Sequence, residues 1–367
     1  MTVTVASDVV APKILGPRGW MSLAGMMGFV ALLHVVGWGT LLFLVAPRHY
    51  DLGEGVVFGA GLGLTAYTLG LRHAFDVDHI AAIDNTTRKL MAENRRPLST
   101  GFWFSLGHST IVFGLCAALG SGVRALASQL TADGSRLHEI TGFVGTLVSG
   151  VFLLLIGLIN LVSLRSIAQV LRRLRRDGID ESELERRLAV RGLMNRLLST
   201  LTRAVRKPWQ MYPVGLLFGL GFDTATEISL LVLATGGAAF NLPWWAILTL
   251  PVLFAAGMSL LDTVDGCLMN IAYSWTFANP VRRVFYNLAM TALSVAVALS
   301  IGLVELLGLV AGKLHITTGL LAWIAELDLS TVGYGIVALF GLTWLVAFAA
   351  WRLGRGERIR NARTVRE

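Results

Sequence analysis

The chain reads as an all-α polytopic membrane protein with eight transmembrane helices, and three observations carry that reading. Of its 367 residues, 54% are hydrophobic and only 15% charged, with a mean hydropathy of +0.66. Such a balance lies outside the range of soluble globular domains. A scan with a window of about 19 residues finds eight long apolar stretches, at 22–46, 55–80, 100–123, 140–164, 210–236, 243–273, 284–311 and 332–352. The basic residues are also one-sided. With the N-terminus inside, the inner segments hold 26 Lys and Arg, whereas the outer loops hold only Arg48, Arg124, Arg136 and Lys313. That asymmetry places both termini on the cytoplasmic side of the membrane. It also accounts for a pI near 10.0 without nucleic acid as a partner; anionic membrane lipid is the natural counterpart.

Five segments follow. Residues 1–21 form a cytoplasmic N-terminal segment and 22–164 carry the first four spans. Residues 165–208 make a basic cytoplasmic loop, 209–353 carry spans five to eight, and 354–367 form a basic tail. No cleavage pattern precedes an apolar core in the first segment, so span one itself serves as the insertion signal. Span one contains His34, one turn before Trp38. An ionisable residue within the bilayer costs about 2.5 to 3.5 kcal/mol on insertion scales and marks function by default.

Span two ends in the densest cluster of chemistry, Arg72-His-Ala-Phe-Asp-Val-Asp-His-Ile-Ala-Ala-Ile-Asp-Asn85, after a run from Gly55 to Leu71 that holds no charge. Imidazole with carboxylate makes a donor set suited to divalent Ni, Co, Zn or Fe rather than to Mg or Ca. On a regular helix His73, Asp76 and His79 drift slowly around one face and point into one cavity. Asp78 lies about 100° from His79 on that helix, so it orients a ligand or the helix is distorted.

Span three carries a further histidine, His108, followed by Ser109 and Thr110. Cys116 in this span and Cys267 in span six are isolated small core residues, which leaves neither a disulfide framework nor a Cys-x-x-Cys site. The 165–208 loop alternates Arg with Leu and Glu, the pattern of amphipathic helices lying on the membrane surface. Span five places Asp223 and Glu227 one turn apart, and span six does the same with Asp262 and Asp265. Paired carboxylates in a low dielectric call for a cation, a shared proton or Arg72. Spans seven and eight hold little charge apart from Glu305.

The halves echo one another. Phe104-Ser-Leu-Gly-His-Ser parallels Phe254-Ala-Ala-Gly-Met-Ser, and each follows a Gly-rich span ending in acidic residues. Aligning Gly70 with Gly219 and Gly107 with Gly257 gives two antiparallel units, the inverted-repeat plan of many secondary transporters.

The motif His73-x-x-x-x-Asp78-His79 resembles the signature of the nickel/cobalt transporter family. Leu106-Gly-His-Ser-Thr110, Gly221-Phe-Asp-Thr-Ala-Thr-Glu-Ile228 and Phe254-Ala-Ala-Gly-Met-Ser-Leu-Leu-Asp-Thr-Val-Asp-Gly266 are similar to its other motifs. The resemblance implies a single-component permease importing Ni²⁺ and Co²⁺ as substrates, with no further cofactor and no ATPase subunit. Carried over, it implies a metal-handling core of His73, Asp76, Asp78 and His79, joined by His108, Asp223, Glu227, Asp262 and Asp265. Members of that family have Asn or His at the position of His34, and His there goes with acceptance of cobalt as well as nickel. The chain contains no Walker A pattern, no His-Glu-x-x-His and no Gly-x-Gly-Asp, which removes ATP hydrolysis and the intramembrane metallo- and aspartyl proteases.

Overall fold

The computed structural model describes residues 16–52, 57–93, 97–120, 136–177, 205–220, 242–277 and 280–325, with Arg95, Leu327 and a few positions between 332 and 343. Asp223, Glu227, most of the 165–208 loop, span eight beyond those positions, residues 1–15 and the C-terminal tail lie outside them. The described chain is helical throughout, apart from a two-stranded hairpin. In order, α1 is Pro17–Gly39, α2 Ala60–His73, α3 Val77–Ala92, α4 Thr100–Gly120 and α5 Arg136–Asp177. They are followed by α6 Met211–Phe218, α7 Trp244–Ile247, α8 Thr249–Phe277, α9 Pro280–Lys313 and α10 Leu320–Ala325. Strands β1 (Tyr50–Asp51) and β2 (Val57–Phe58) pair antiparallel between α1 and α2.

Among the described residues, five helical stretches are long and apolar enough to cross a membrane: Pro17–Arg48, Thr100–Ala118, Gly142–Val162, Trp244–Asn270 and Thr291–Lys313. They coincide with expected spans one, three, four, six and seven. Helix α1 runs into a π-helical turn at Thr40–Val45, and its Trp20, Met21, Val35 and Phe43 are exposed. An apolar exposed face of this kind is what a helix presents to lipid. Helix α5 continues to Asp177, beyond the membrane-length portion that ends at Val162. Span two does not form a continuous helix.

That discontinuity is the main departure from the regular-helix reading. Helix α2 stops at His73, the Phe75 amide bonds the Arg72 carbonyl (3.0 Å) and the Asp76 amide bonds the His73 carbonyl (2.8 Å). Asp76 is the N-cap of α3, with extended backbone (φ −62°, ψ 141°) and a carboxylate that accepts from the Val77 amide. A cap of this type satisfies an amide that the helix start leaves open. On an unbroken helix His73 and His79 would stand about 9 Å apart along the axis. The break folds them back until their ring centroids are 4.6 Å apart.

Glycines let the helices cross at backbone contact. A Cβ on Gly70 of α2 would lie 2.1 Å from the Phe254 carbonyl oxygen of α8, and one on Gly257 would lie 2.6 Å from that of Tyr67. The crossing of α4 with α6 repeats this: a Cβ on Gly107 would lie 2.0 Å from the Tyr212 carbonyl oxygen, and one on Gly215 would lie 2.0 Å from that of Phe104. Small residues at crossings are how membrane helices gain packing that lipid cannot provide. Two apolar clusters result. One gathers Leu41, Phe58, Cys116, Leu250, Leu253 and Phe254; the other gathers Val77, Ile83, Phe104, Met211, Phe218 and Ile301.

A buried polar network ties α3 to α5 and α9. Arg88 Nη1 donates to Thr291 Oγ1 (3.0 Å) and Nη2 to Ser294 Oγ (2.9 Å), with Asp84 Oδ1 3.7 Å from Nη2. The Ser294 hydroxyl donates to Asp84 Oδ2. Asn160 Nδ2 donates to Asn85 Oδ1 at 2.8 Å, and Asn85 Nδ2 to the Ala81 carbonyl at 2.9 Å. Arg88→Met removes this cation from Asp84 while leaving the carboxylate buried. The expected cost is about 3 to 5 kcal/mol, measured as a lower melting temperature of the purified protein in detergent.

Candidate metal centre

Three imidazoles converge between the two apolar clusters. His73 at the end of α2, His79 one turn into α3 and His108 in the middle of α4 are all buried, and one nitrogen of each lies within 4.8 Å of the others. His73 Nε2 and His108 Nε2 are 3.1 Å apart, the separation of a single N–H···N hydrogen bond. The His79 ring lies 4.8 Å from that of His108. His79 Nδ1 faces Asp262 Oδ2 of α8 at 3.4 Å, which leaves Nε2 for the cluster. That Nε2 is buried and has no hydrogen-bond partner among the described residues. A lone pair held dry and unused has a desolvation cost that a metal ion offsets.

The donor chemistry suits a late first-row divalent ion. At metal–nitrogen distances of about 2.0 to 2.1 Å, tetrahedral or octahedral ligands stand roughly 3 Å or slightly more from each other. The His73–His108 separation already meets this. Asp262 stands where a carboxylate would take the far N–H of the His79 ring, which would fix its tautomer and direction if Nε2 bound a metal. Asp76 Oδ2 stands 3.9 Å from His73 Nδ1 on the corresponding side of that ring. For Asp262→Asn, the expected result is a loss of about 10- to 100-fold in metal affinity with the fold retained; titration calorimetry beside a melting curve checks both.

The other sequence candidates are placed differently. Asp78 turns away from the imidazoles: its Oδ1 accepts from the His79 amide at 2.8 Å, and its Oδ2 is 3.5 Å from Ser149 Oγ of α5. The Ser149 hydroxyl donates to Glu305 Oε1 of α9 at 3.1 Å, so Asp78 and Glu305 meet at a second polar point. Asp265 lies one turn beyond Asp262, with a buried Oδ2 that finds no hydrogen-bond partner among the described residues. His34 is engaged outside the cluster: Nδ1 donates to the Val30 carbonyl (2.8 Å) and Nε2 stands 3.2 Å from the Tyr67 hydroxyl. Arg72 is exposed. Asp223 and Glu227 fall outside the described residues. Reading the sequence missed Asn85, Arg88 and Asn160; a charged Arg and two amides beside an apolar span were the available signal.

Helices long and apolar enough to cross a membrane surround a buried histidine cluster, the make-up of an integral membrane protein with a candidate transition-metal centre. The chain belongs to the family of high-affinity nickel-transport proteins, NicO, whose family model matches residues 59–350. It is 57% identical over 345 residues to the nickel transporter NicT of Mycobacterium tuberculosis, covering 94% of this chain and 92% of that protein. It is 45% identical over 331 residues to the nickel transporter NixA of Staphylococcus aureus, covering 90% of this chain and 94% of that protein. The cobalt transport protein NhlF of Rhodococcus rhodochrous is 41% identical over 328 residues, covering 88% and 90%. No solved structure matches. These relatives are named as transporters and not as enzymes, and the chain is accordingly a multi-pass membrane permease.

Proposed function

We propose that the chain is a single-component secondary transporter that imports Ni²⁺ and Co²⁺ across the bacterial cytoplasmic membrane, with both termini inside. His73, His79 and His108 strip and hold the ion, and Asp262 and Asp76 orient two of those rings. The observation that carries this reading is the buried Nε2 of His79, aimed into a group of three imidazoles in a chain of this family. Asp78, Glu305 and Asp265 supply acidic groups away from the imidazoles, and Asp223 and Glu227 add carboxylates from the second half. The break between α2 and α3 leaves two helix ends beside the imidazoles, which supports this reading because discontinuous helices recur at transporter sites.

A negative-inside potential favours entry by about 2.3 kcal/mol per charge per 100 mV, which a divalent ion gains twice. No nucleotide-binding partner is needed for that driving force. Three imidazoles bind any late first-row divalent ion in the Irving–Williams order, so selection for nickel and cobalt rests on geometry. The relatives named for nickel and for cobalt support both metals as substrates.

Uptake of trace radiolabelled Ni²⁺ and Co²⁺ into cells expressing the chain tests the reading, with excess Zn²⁺ and Mn²⁺ as competitors. Accumulation of both labelled metals, with the competitors having little effect, is the expected result. Expression without accumulation would remove the importer assignment.

A further inference from the structure

We propose that Phe104 and Phe254 are the two gates of the metal path, one on each side of the histidine cluster. The proposal rests on transport through His73, His79 and His108, and begins from the two glycine crossings. In one, Gly70 and Gly257 meet the carbonyls of Phe254 and Tyr67; in the other, Gly215 and Gly107 meet those of Phe104 and Tyr212. The contacts match term by term if Tyr67-x-x-Gly70 answers Tyr212-x-x-Gly215 and Phe104-x-x-Gly107 answers Phe254-x-x-Gly257. The first correspondence differs by one helical turn from the Gly70–Gly219 alignment expected from spacing. Exchanging the two motif pairs carries one crossing onto the other, as a pseudo-two-fold axis does.

A ring contact outside the glycines obeys the same rule. Phe254 packs on His73 with centroids 5.6 Å apart, and Phe104 packs on Phe218 at 5.2 Å. Under the correspondence His73 answers Phe218, so these are one contact seen twice. With the charge-derived topology, α2 and α6 run in opposite directions, so the axis lies in the membrane plane. Such an axis sends equivalent residues to opposite depths.

On that topology Phe104, early in the outward-running α4, lies toward the inside and Phe254, early in the inward-running α8, lies toward the outside, with the imidazoles they touch between them. Each is fully buried in a different apolar cluster. Phe254 lies against His73, while Phe104 meets His79 edge-on at 4.7 Å. An ion approaching from either side meets a phenyl ring and a dry cluster before it reaches Nε2. Hydrophobic constrictions of this kind exclude hydrated ions by excluding water. Alternating access needs two such barriers, opened in turn.

The test uses the purified full chain in proteoliposomes with a trapped metal-sensitive dye, and the variants Phe104→Ala and Phe254→Ala, with Phe104→Leu and Phe254→Leu as milder changes that keep an apolar contact. Nickel binding, measured by titration, is expected to survive in the variants. Their Ni²⁺ flux is expected to lose saturation and rise about tenfold, and Mg²⁺ is expected to pass in the variants but not in the wild type. Should the Ala forms fail to fold, the Leu forms give the same readout at smaller size. Variants that bind nickel but keep saturable flux and exclude Mg²⁺ would overturn the gates alone. A wild type that neither binds nor moves Ni²⁺ would overturn the metal-site reading, and the gates with it.

Discussion

His79→Ala is expected to reduce nickel uptake to the background of cells without the protein, and to weaken metal binding by more than about 100-fold. The size of this effect follows from the double use of the ring. Nε2 is the buried nitrogen offered to the ion, while Nδ1 faces Asp262 on α8. Removing the ring therefore takes away a ligand and strands a buried carboxylate on the neighbouring helix. His34→Ala provides the contrast, because its nitrogens are taken up by the Val30 carbonyl and the Tyr67 hydroxyl. Binding at the imidazoles should change less there than in His79→Ala. Titration of both purified variants with Ni²⁺, beside whole-cell uptake, separates the two cases; equal losses would place His34 in the site after all.

Gly215→Val is expected to prevent accumulation of folded protein. A Cβ at this position would lie 2.0 Å from the Phe104 carbonyl oxygen, and one on the opposing Gly107 would lie equally close to the Tyr212 carbonyl oxygen. Both surfaces are backbone, so no side chain can swing aside. Overpacking an ordinary core costs about 1 to 3 kcal/mol, and here α4 and α6 would have to separate. Gly61→Val serves as the control, because nothing lies within 4 Å of the Cβ it would add. Size-exclusion profiles of the detergent-solubilised variants read the result: Gly215→Val aggregated or absent, Gly61→Val close to wild type.

Much of this architecture was legible because lipid imposes simple rules. Apolar runs long enough to cross a bilayer located α1, α4, the membrane portion of α5, α8 and α9 within a few residues. Residues that are expensive in lipid pointed to His73, His79 and His108, which the structure brings together. The break after His73 was harder to see. Asp76-Val-Asp78 is also a helix-start signal, a cap followed by an acid in the first turn. Placing both aspartates in the metal-handling core drew attention from that local role. The destination of Asp78 was equally hidden, since Ser149 and Glu305 reach it from helices far along the chain. Spacing alone also could not show which glycines oppose which carbonyls, because those contacts form only between packed helices.

The central claim is that three imidazoles bind the ion, and nickel X-ray absorption on the purified protein loaded with one equivalent of Ni²⁺ tests it most directly. The predicted spectrum contains outer-shell scattering from three imidazole rings, falling to two in His108→Ala. A shell of oxygen donors without imidazole scattering, or a spectrum unchanged by that substitution, would contradict the account.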